Sequence, residues 1–363
     1  MSTSLCEIVS CPAIQTSLDS MFAAGQGNMQ PESVPTLQYV LSEENRAGAT
    51  VTPVGRPSKV VDVQVVYDQP FLTSEVGENG TGCIATDEEC DLTATYTLDT
   101  SLNVYKSLLV SPSDLIGTCE ENSAFVARKV EKIINVIEEK VSENLAAVIA
   151  AQLGAWSQDT ANIRGANVTV GNLLQLNDYV GTSGEPNAIL FQQLAKALKL
   201  SRFGSPMVSG GSALDDFFER SLAGGQAASG WNVEAMLRRY GFMPTYDRHV
   251  FDALQAAGDA TNVAIGQGSI VPLGFSLFEN PYNQMEDSTN IAKTIYSPRT
   301  GMKMDFIMNR PCATDPWNII VKATYDFVTL PSDLYKVGSN YEGVKSLAGI
   351  EITCDDLNPC PAA

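Results

Sequence analysis

The chain has 363 residues, 44% hydrophobic and 18% charged, with 23 basic against 42 acidic side chains for a formal net charge of −19. This composition argues against wholesale disorder. The acidic balance argues against sequence-specific nucleic-acid binding, which needs a basic footprint, but not against enclosing nucleic acid within subunits that hold one another. Length suggests two or three domains. No apolar run reaches the roughly 18 residues of a membrane span. The start, MSTSLCEIVSCPAIQTSLDS, has no basic or continuous apolar stretch, so it does not read as a secretory signal and synthesis in a cytoplasm is expected.

The first fifty or so residues carry Gly25, Gly27, Pro31, Pro35 and Gly48 with weak periodicity. They read as an extended arm, with one turn of helix near Ile14–Ala24. Lys59–Tyr67 (KVVDVQVVY) is a valine-rich strand, and Leu92–Leu109 is one long or two short strands. The polar stretch between them holds Gly77, Gly80, Gly82 and the acidic run Asp87–Glu89, so the two strands predict an extended hairpin.

A long helix is predicted next. Thr118 and Glu121 have capping-box spacing. Val126, Val130, Ile133, Ile134, Ile137, Val141, Leu145, Val148 and Ile149 recur at helical intervals. Arg128, Glu131, Lys132, Asn135, Glu138, Glu139, Ser142 and Glu143 are expected on the opposite, polar face, and Gly154 stands where a C-terminal cap belongs. Such a helix would be roughly 50 Å long.

After Trp156 the pattern alternates. Helices are predicted at Asn187–Leu200, Ala213–Leu222, Trp231–Tyr240 and His249–Ala257. Short strands are predicted at Pro206–Ser209, Phe242–Tyr246, Val263–Ile265 and Ile270–Phe278. The closing part reads as antiparallel strands at Ile291–Tyr296, Met302–Met308 and Asn318–Val328, with Ser297–Gly301 turning between the first two. A last strand, Ala348–Thr353, precedes the tail. The fold class is α+β.

Catalytic, cofactor-binding and metal residues are expected to be none. There is no P-loop and no G-x-S-x-G, and a single histidine rules out H-E-x-x-H. The G-x-G fragments at Gly25/Gly27 and Gly266/Gly268 lack a third glycine in place. His249 beside Asp247 or Asp252 is the one triad candidate, and a histidine at a helix start is the simpler reading. Asp215, Asp216 and Glu219 share a helical turn, as a glycosidase pair would, but Phe217 and Phe218 lie between them and a solvated face explains them better. Asp87–Glu89 between Cys83 and Cys90 lacks the order of a calcium loop. Asn79-Gly80-Thr81 and Asn167-Val168-Thr169 match the glycosylation triplet, which means nothing without a signal peptide. The eight cysteines, Cys6, Cys11, Cys83, Cys90, Cys119, Cys312, Cys354 and Cys360, read first as free, partly buried thiols. Disulfides formed after release from a reducing cell come second, and structural zinc last, because the spacings are wide.

The order of parts, arm, hairpin with a long loop, long helix, α/β unit and closing strands, resembles the major capsid proteins of tailed double-stranded DNA bacteriophages, the Hong Kong 97-type fold. The residues that carry the resemblance are Lys59–Phe71 with the loop after it, Glu121–Leu153, Pro206–Glu219, Gly241–Val250, Tyr296–Met308 and Trp317–Leu330. It is a match of layout over nearly the whole chain, not of a short motif. It implies an N-terminal arm at 1–55, an E-loop β-hairpin at 56–112 and a P-domain with its spine helix at 113–170. An A-domain would follow at 171–285, P-domain closing strands at 286–335, and a C-terminal strand and tail at 336–363. It further implies self-assembly into pentamers and hexamers of an icosahedral shell around double-stranded DNA. Portal, scaffolding and decoration proteins would be the other partners. The protein would reside in the virion capsid after synthesis in the bacterial host cytoplasm. An encapsulin-type nanocompartment shell uses the same architecture and is the first alternative; an acidic hydrolase is the second.

Overall fold

The computed structural model describes residues 16–20, 32–42, 49–54, 60–67, 92–99, 103–111, 122–163, 166–168, 173–177, 179–180, 185–186, 189–203, 206–214, 241–258, 260–287, 290–309, 316–329 and 346–353. They form an α+β fold. The arm holds a helix that its sequence pattern hid, α1 (Pro35–Leu41), besides the turn of helix at residues 16–20. Pro35 sits in the first turn, where its missing N–H costs nothing. Leu37 and Val40 are buried with Leu18 against the main core.

Strands β1 (Ala49–Val54), β2 (Val60–Tyr67) and β3 (Leu92–Asp99) make an antiparallel three-stranded ribbon. The expected hairpin is therefore 60–99, and the end of the arm adds a third strand to it. Strand β4 (Val104–Val110) leaves the ribbon and pairs instead with a closing strand. Val104, Leu108 and Val110 explain this, because they pack into the core beside the long helix.

That helix, α2 (Asn122–Ala151), is 30 residues and about 45 Å long. Ile134, Ile137, Leu145 and Ile149 are fully buried on it, each stabilising by about 1.5–3 kcal/mol. Its polar face is narrower than the spacing predicts. Lys132, Val136, Lys140, Glu143, Asn144, Ala147 and Ala151 form the exposed stripe, while Glu138 and Ser142 are buried. Gly154 is not a left-handed cap: it bridges to Ala348, and its N–H donates to the Leu347 carbonyl at 2.7 Å, so the chain passes from helix straight into sheet.

The α/β unit contains β5 (Ala166–Val168), β6 (Leu174–Asn177), the small pair β7 (Tyr179–Val180) and β8 (Glu185–Pro186), and α3 (Leu190–Leu200). It continues through β9 (Met207–Gly210), β10 (Met243–Tyr246), α4 (Arg248–Ala257) and β11 (Asn262–Ile265). The helix predicted at Trp231–Tyr240 and most of that at Ala213–Leu222 lie outside the described residues. Next come β12 (Ile270–Phe275), β13 (Met285–Glu286), β14 (Asn290–Tyr296), β15 (Lys303–Asn309), β16 (Trp317–Thr329) and β17 (Leu347–Thr353).

Two strands lie in sheets that their place in the chain does not suggest. β17 lies inside the α/β sheet, of order β10-β9-β11-β17-β6-β5. Leu347, Ala348, Ile350 and Ile352 are all buried, which a terminal edge strand would not allow. β12 leaves the α/β unit and pairs with β16 in the other six-stranded sheet, of order β12-β16-β15-β14-β13 with β4 also on β16. Met304, Phe306, Met308, Ile319 and Val321 of this sheet face α2. Residues 276–284 connect β12 to β13 at the far edge, so they must cross the sheet. Ser276 Oγ meets Thr294 Oγ1 at 2.7 Å and Asp305 Oδ1 at 2.5 Å. Asp305 alternates with Met304 and Phe306 and so points away from α2. The crossing strap therefore covers the face opposite the helix.

Candidate functional site: the arm junction on the spine helix

Glu138 is fully buried midway along α2. Burying a carboxylate is costly unless its oxygens are matched. The turn between β14 and β15 supplies the match. Oε1 accepts from Ser297 Oγ at 2.5 Å and Thr300 Oγ1 at 2.6 Å. Oε2 accepts from Arg299 Nε at 2.8 Å and lies 2.5 Å from Arg299 Nη2. The turn holds this shape because Gly301 adopts a φ of 70°, which favours glycine, and returns its N–H to the Ser297 carbonyl at 2.9 Å.

The same arginine reaches the arm. Its Nη1 donates to the Glu32 carbonyl at 2.9 Å, and Gln38 Nε2 of α1 donates to the Arg299 carbonyl at 3.4 Å. A second polar lock lies at the start of α4. Asp247, fully buried, caps that helix by accepting from the His249 and Val250 N–H groups at 3.1 and 3.3 Å. Its other oxygen accepts the Thr36 N–H at 3.2 Å. Val34, at the N-cap of α1, has no side chain able to do this. One carboxylate thus caps two helices whose residues are 211 apart. Thr36 Oγ1 also meets Ser209 Oγ on β9 at 2.7 Å. Arm, spine helix, closing sheet and α/β unit are fastened together at these two acids.

The triad reading of His249 is not assembled. Asp247 spends its carboxylate on backbone N–H groups, Asp252 pairs with Arg248 at 3.5 Å, and the imidazole Nε2 faces Glu32 at 3.8 Å. Asp215, Asp216, Glu219, the run Asp87–Glu89 and all eight cysteines lie outside the described residues. Sequence reasoning missed Glu138 as a junction and Glu32 and Arg299 altogether. A charged residue flanked by Ile137 and Val141 was the available signal for Glu138.

Large apolar side chains remain exposed at the edges. Tyr105 and Leu109 on β4 are 66% and 65% exposed, and among the described residues β4 pairs with β16 alone. Tyr282 on the strap is 95% exposed and Met285 is 51% exposed. The strap is held by its own amides, with Asn283 and Gln284 donating to the Leu277 and Phe278 carbonyls at 2.9 and 3.0 Å. Exposed aromatic residues on a braced loop and an open strand edge are features of protein–protein contact surfaces.

No family model and no curated protein matches this sequence. Solved structures that it is similar to include phage capsids. The capsid of Ralstonia phage GP4 is 12% identical, with a TM-score of 0.47 over 92% of this chain and 94% of that one. The capsid structure of the cyanophage P-SCSP1u is 9% identical, with a TM-score of 0.41 over 83% and 85%. The mature capsid of bacteriophage PhiM1 is 8% identical, with a TM-score of 0.40 over 90% and 89%.

Proposed function

We propose that this chain is the major capsid protein of a tailed double-stranded DNA phage, a structural subunit and not an enzyme. The observation that carries the reading is the layout around α2. One 30-residue helix fastens an arm, a sheet and an α/β unit, while a separate β-ribbon and apolar strand edges remain for neighbours. A shell subunit needs that division between a fixed centre and outward elements that bury apolar surface against copies of itself.

On this reading the subunits form pentamers and hexamers of an icosahedral shell enclosing DNA without sequence-specific contacts, in keeping with the net charge of −19. Portal, scaffolding and decoration proteins are its other partners, and it is made in the host cytoplasm. The division into arm, E-loop, P-domain and A-domain is carried over, with β4 and β12 assigned to the P-domain sheet and β17 to the A-domain sheet.

Electron microscopy of the purified full chain, alone and co-expressed with a candidate scaffold, tests this. Closed shells built of pentameric and hexameric capsomers are expected. A monodisperse monomer under every condition would overturn the proposal. Nuclease-protected DNA in native particles separates a virion from an encapsulin-type compartment.

A further inference from the structure

His249 is the only histidine in the chain. Its side chain is 11% exposed, and its Nε2 is buried without a hydrogen-bond partner. Glu32 Oε2, on the arm, stands 3.8 Å away, within ion-pair range but longer than a hydrogen bond. In the neutral imidazole this contact contributes little. In the imidazolium it becomes an attraction between opposite charges in a partly dry setting.

The neighbouring charges leave Glu32 as the partner. On α4, Arg248 lies 3.8 Å from Glu32 Oε1 and 3.5 Å from Asp252, and is itself largely exposed. Asp247 is occupied by three backbone N–H groups. On α2, Glu138 is matched by Arg299 and two hydroxyls, and the exposed Lys140 and Glu143 pair with each other at 2.5 Å. Strands β9 and β11 carry no titratable side chain.

We propose that His249 is a proton-operated clasp on the N-terminal arm. In the protonated imidazole, Nε2 attracts the Glu32 carboxylate and tightens the arm ahead of α1. Loss of the proton removes that attraction and leaves the segment on Arg248 and the Arg299–Glu32 carbonyl bond, while the Asp247–Thr36 bond and the burial of Leu37 and Val40 keep α1 seated. Acid therefore tightens the arm, and alkali loosens it. The device stands on the arm as docked within one chain and does not depend on the shell reading.

Amide hydrogen exchange over residues 32–42 of the full chain tests it, between about pH 5.5 and 8 where imidazoles change charge. Rates are corrected for the intrinsic pH dependence of exchange. Opening in the unsubstituted protein is expected to be about two- to fivefold less frequent at the acid end, the scale of a half-exposed ion pair. His249→Gln and Glu32→Gln should each abolish that difference. A flat profile in the unsubstituted protein, or a pH dependence retained in His249→Gln, overturns the clasp. If His249→Gln also raises exchange within α2, Glu32→Gln decides the matter, because its side chain is partly exposed on the arm. A retained dependence there overturns the proposal.

Discussion

Helix α2 and the β1–β2–β3 ribbon are both long, and they meet the rest of the chain in different ways. α2 is covered by α1, α4, β4 and β16 and accepts buried polar contacts from residues about 160 positions away, such as Ser297, Arg299 and Thr300 on Glu138. The ribbon strands pair only with one another among the described residues. Fastening through buried charge fixes register, because a carboxylate moved by one helical turn would lose all of its partners at once. The ribbon strands are joined to one another by backbone pairing, and Leu98 on β3 is buried. The molecule thus joins a centre fixed by long-range buried contacts to a ribbon whose strands pair among themselves.

Breaking the centre should cost most. Glu138→Ala leaves Arg299 partly buried and unpaired, so a loss of about 3–5 kcal/mol in denaturant unfolding is expected. Replacing Arg299 as well, by Met, should recover part of that loss. A cycle that comes out additive would show that the two residues do not act as a pair. Asp247→Ala comes next, at about 1–3 kcal/mol, since it uncaps α4 and strips the acceptor from the Thr36 N–H. Faster amide exchange at Thr36 would distinguish this from a loss confined to α4. Asp247→Asn keeps one acceptor oxygen but turns an NH₂ donor toward the other N–H, so it should restore the cap of α4 and not the Thr36 contact.

The ribbon should respond in the opposite manner. Replacing the segment between β2 and β3 by a short glycine-serine turn should leave the unfolding free energy within about 0.5 kcal/mol and, on the proposed shell reading, abolish shell formation seen by electron microscopy. If the monomer unfolds with it, the ribbon belongs to the core and the contrast fails. Tyr105→Ser with Leu109→Ser on β4 should likewise spare the monomer and lower assembly yield, because both side chains are largely exposed.

Legibility in the sequence follows the same division. α2, β14, β15 and β16 could be placed within a few residues, because their burial is one-sided and the periodicity is carried by their own side chains. What escaped depended on partners far away in the chain. Nothing in PTLQYVL signals a helix whose N-terminus is capped by Asp247. The placement of β17 between β11 and β6 is decided by what flanks it, as is the departure of β12 to β16. Spacing alone places Glu138 on a solvent face, and only the hydroxyls and guanidinium of the 297–301 turn offset the cost of its burial.

The smallest effect sharpens the picture of α2 itself. Glu131 lies seven residues before Glu138 on the same side of the helix, but no matched donors meet it among the described residues. Partial burial raises its pKa above the usual carboxylate value, and nearby Lys132 offsets this only in part. The sign follows from linkage. An acid whose folded pKa is raised is easier to fold when protonated, so its charged form costs stability at neutral pH, and that cost disappears as pH falls to the unfolded-state range. Glu131→Gln should therefore raise the unfolding midpoint slightly at pH 7, and the gain should shrink steadily toward about pH 4. A gain independent of pH would point to a packing effect instead. A loss at pH 7 would mean that Glu131, like Glu138, has partners for its charge.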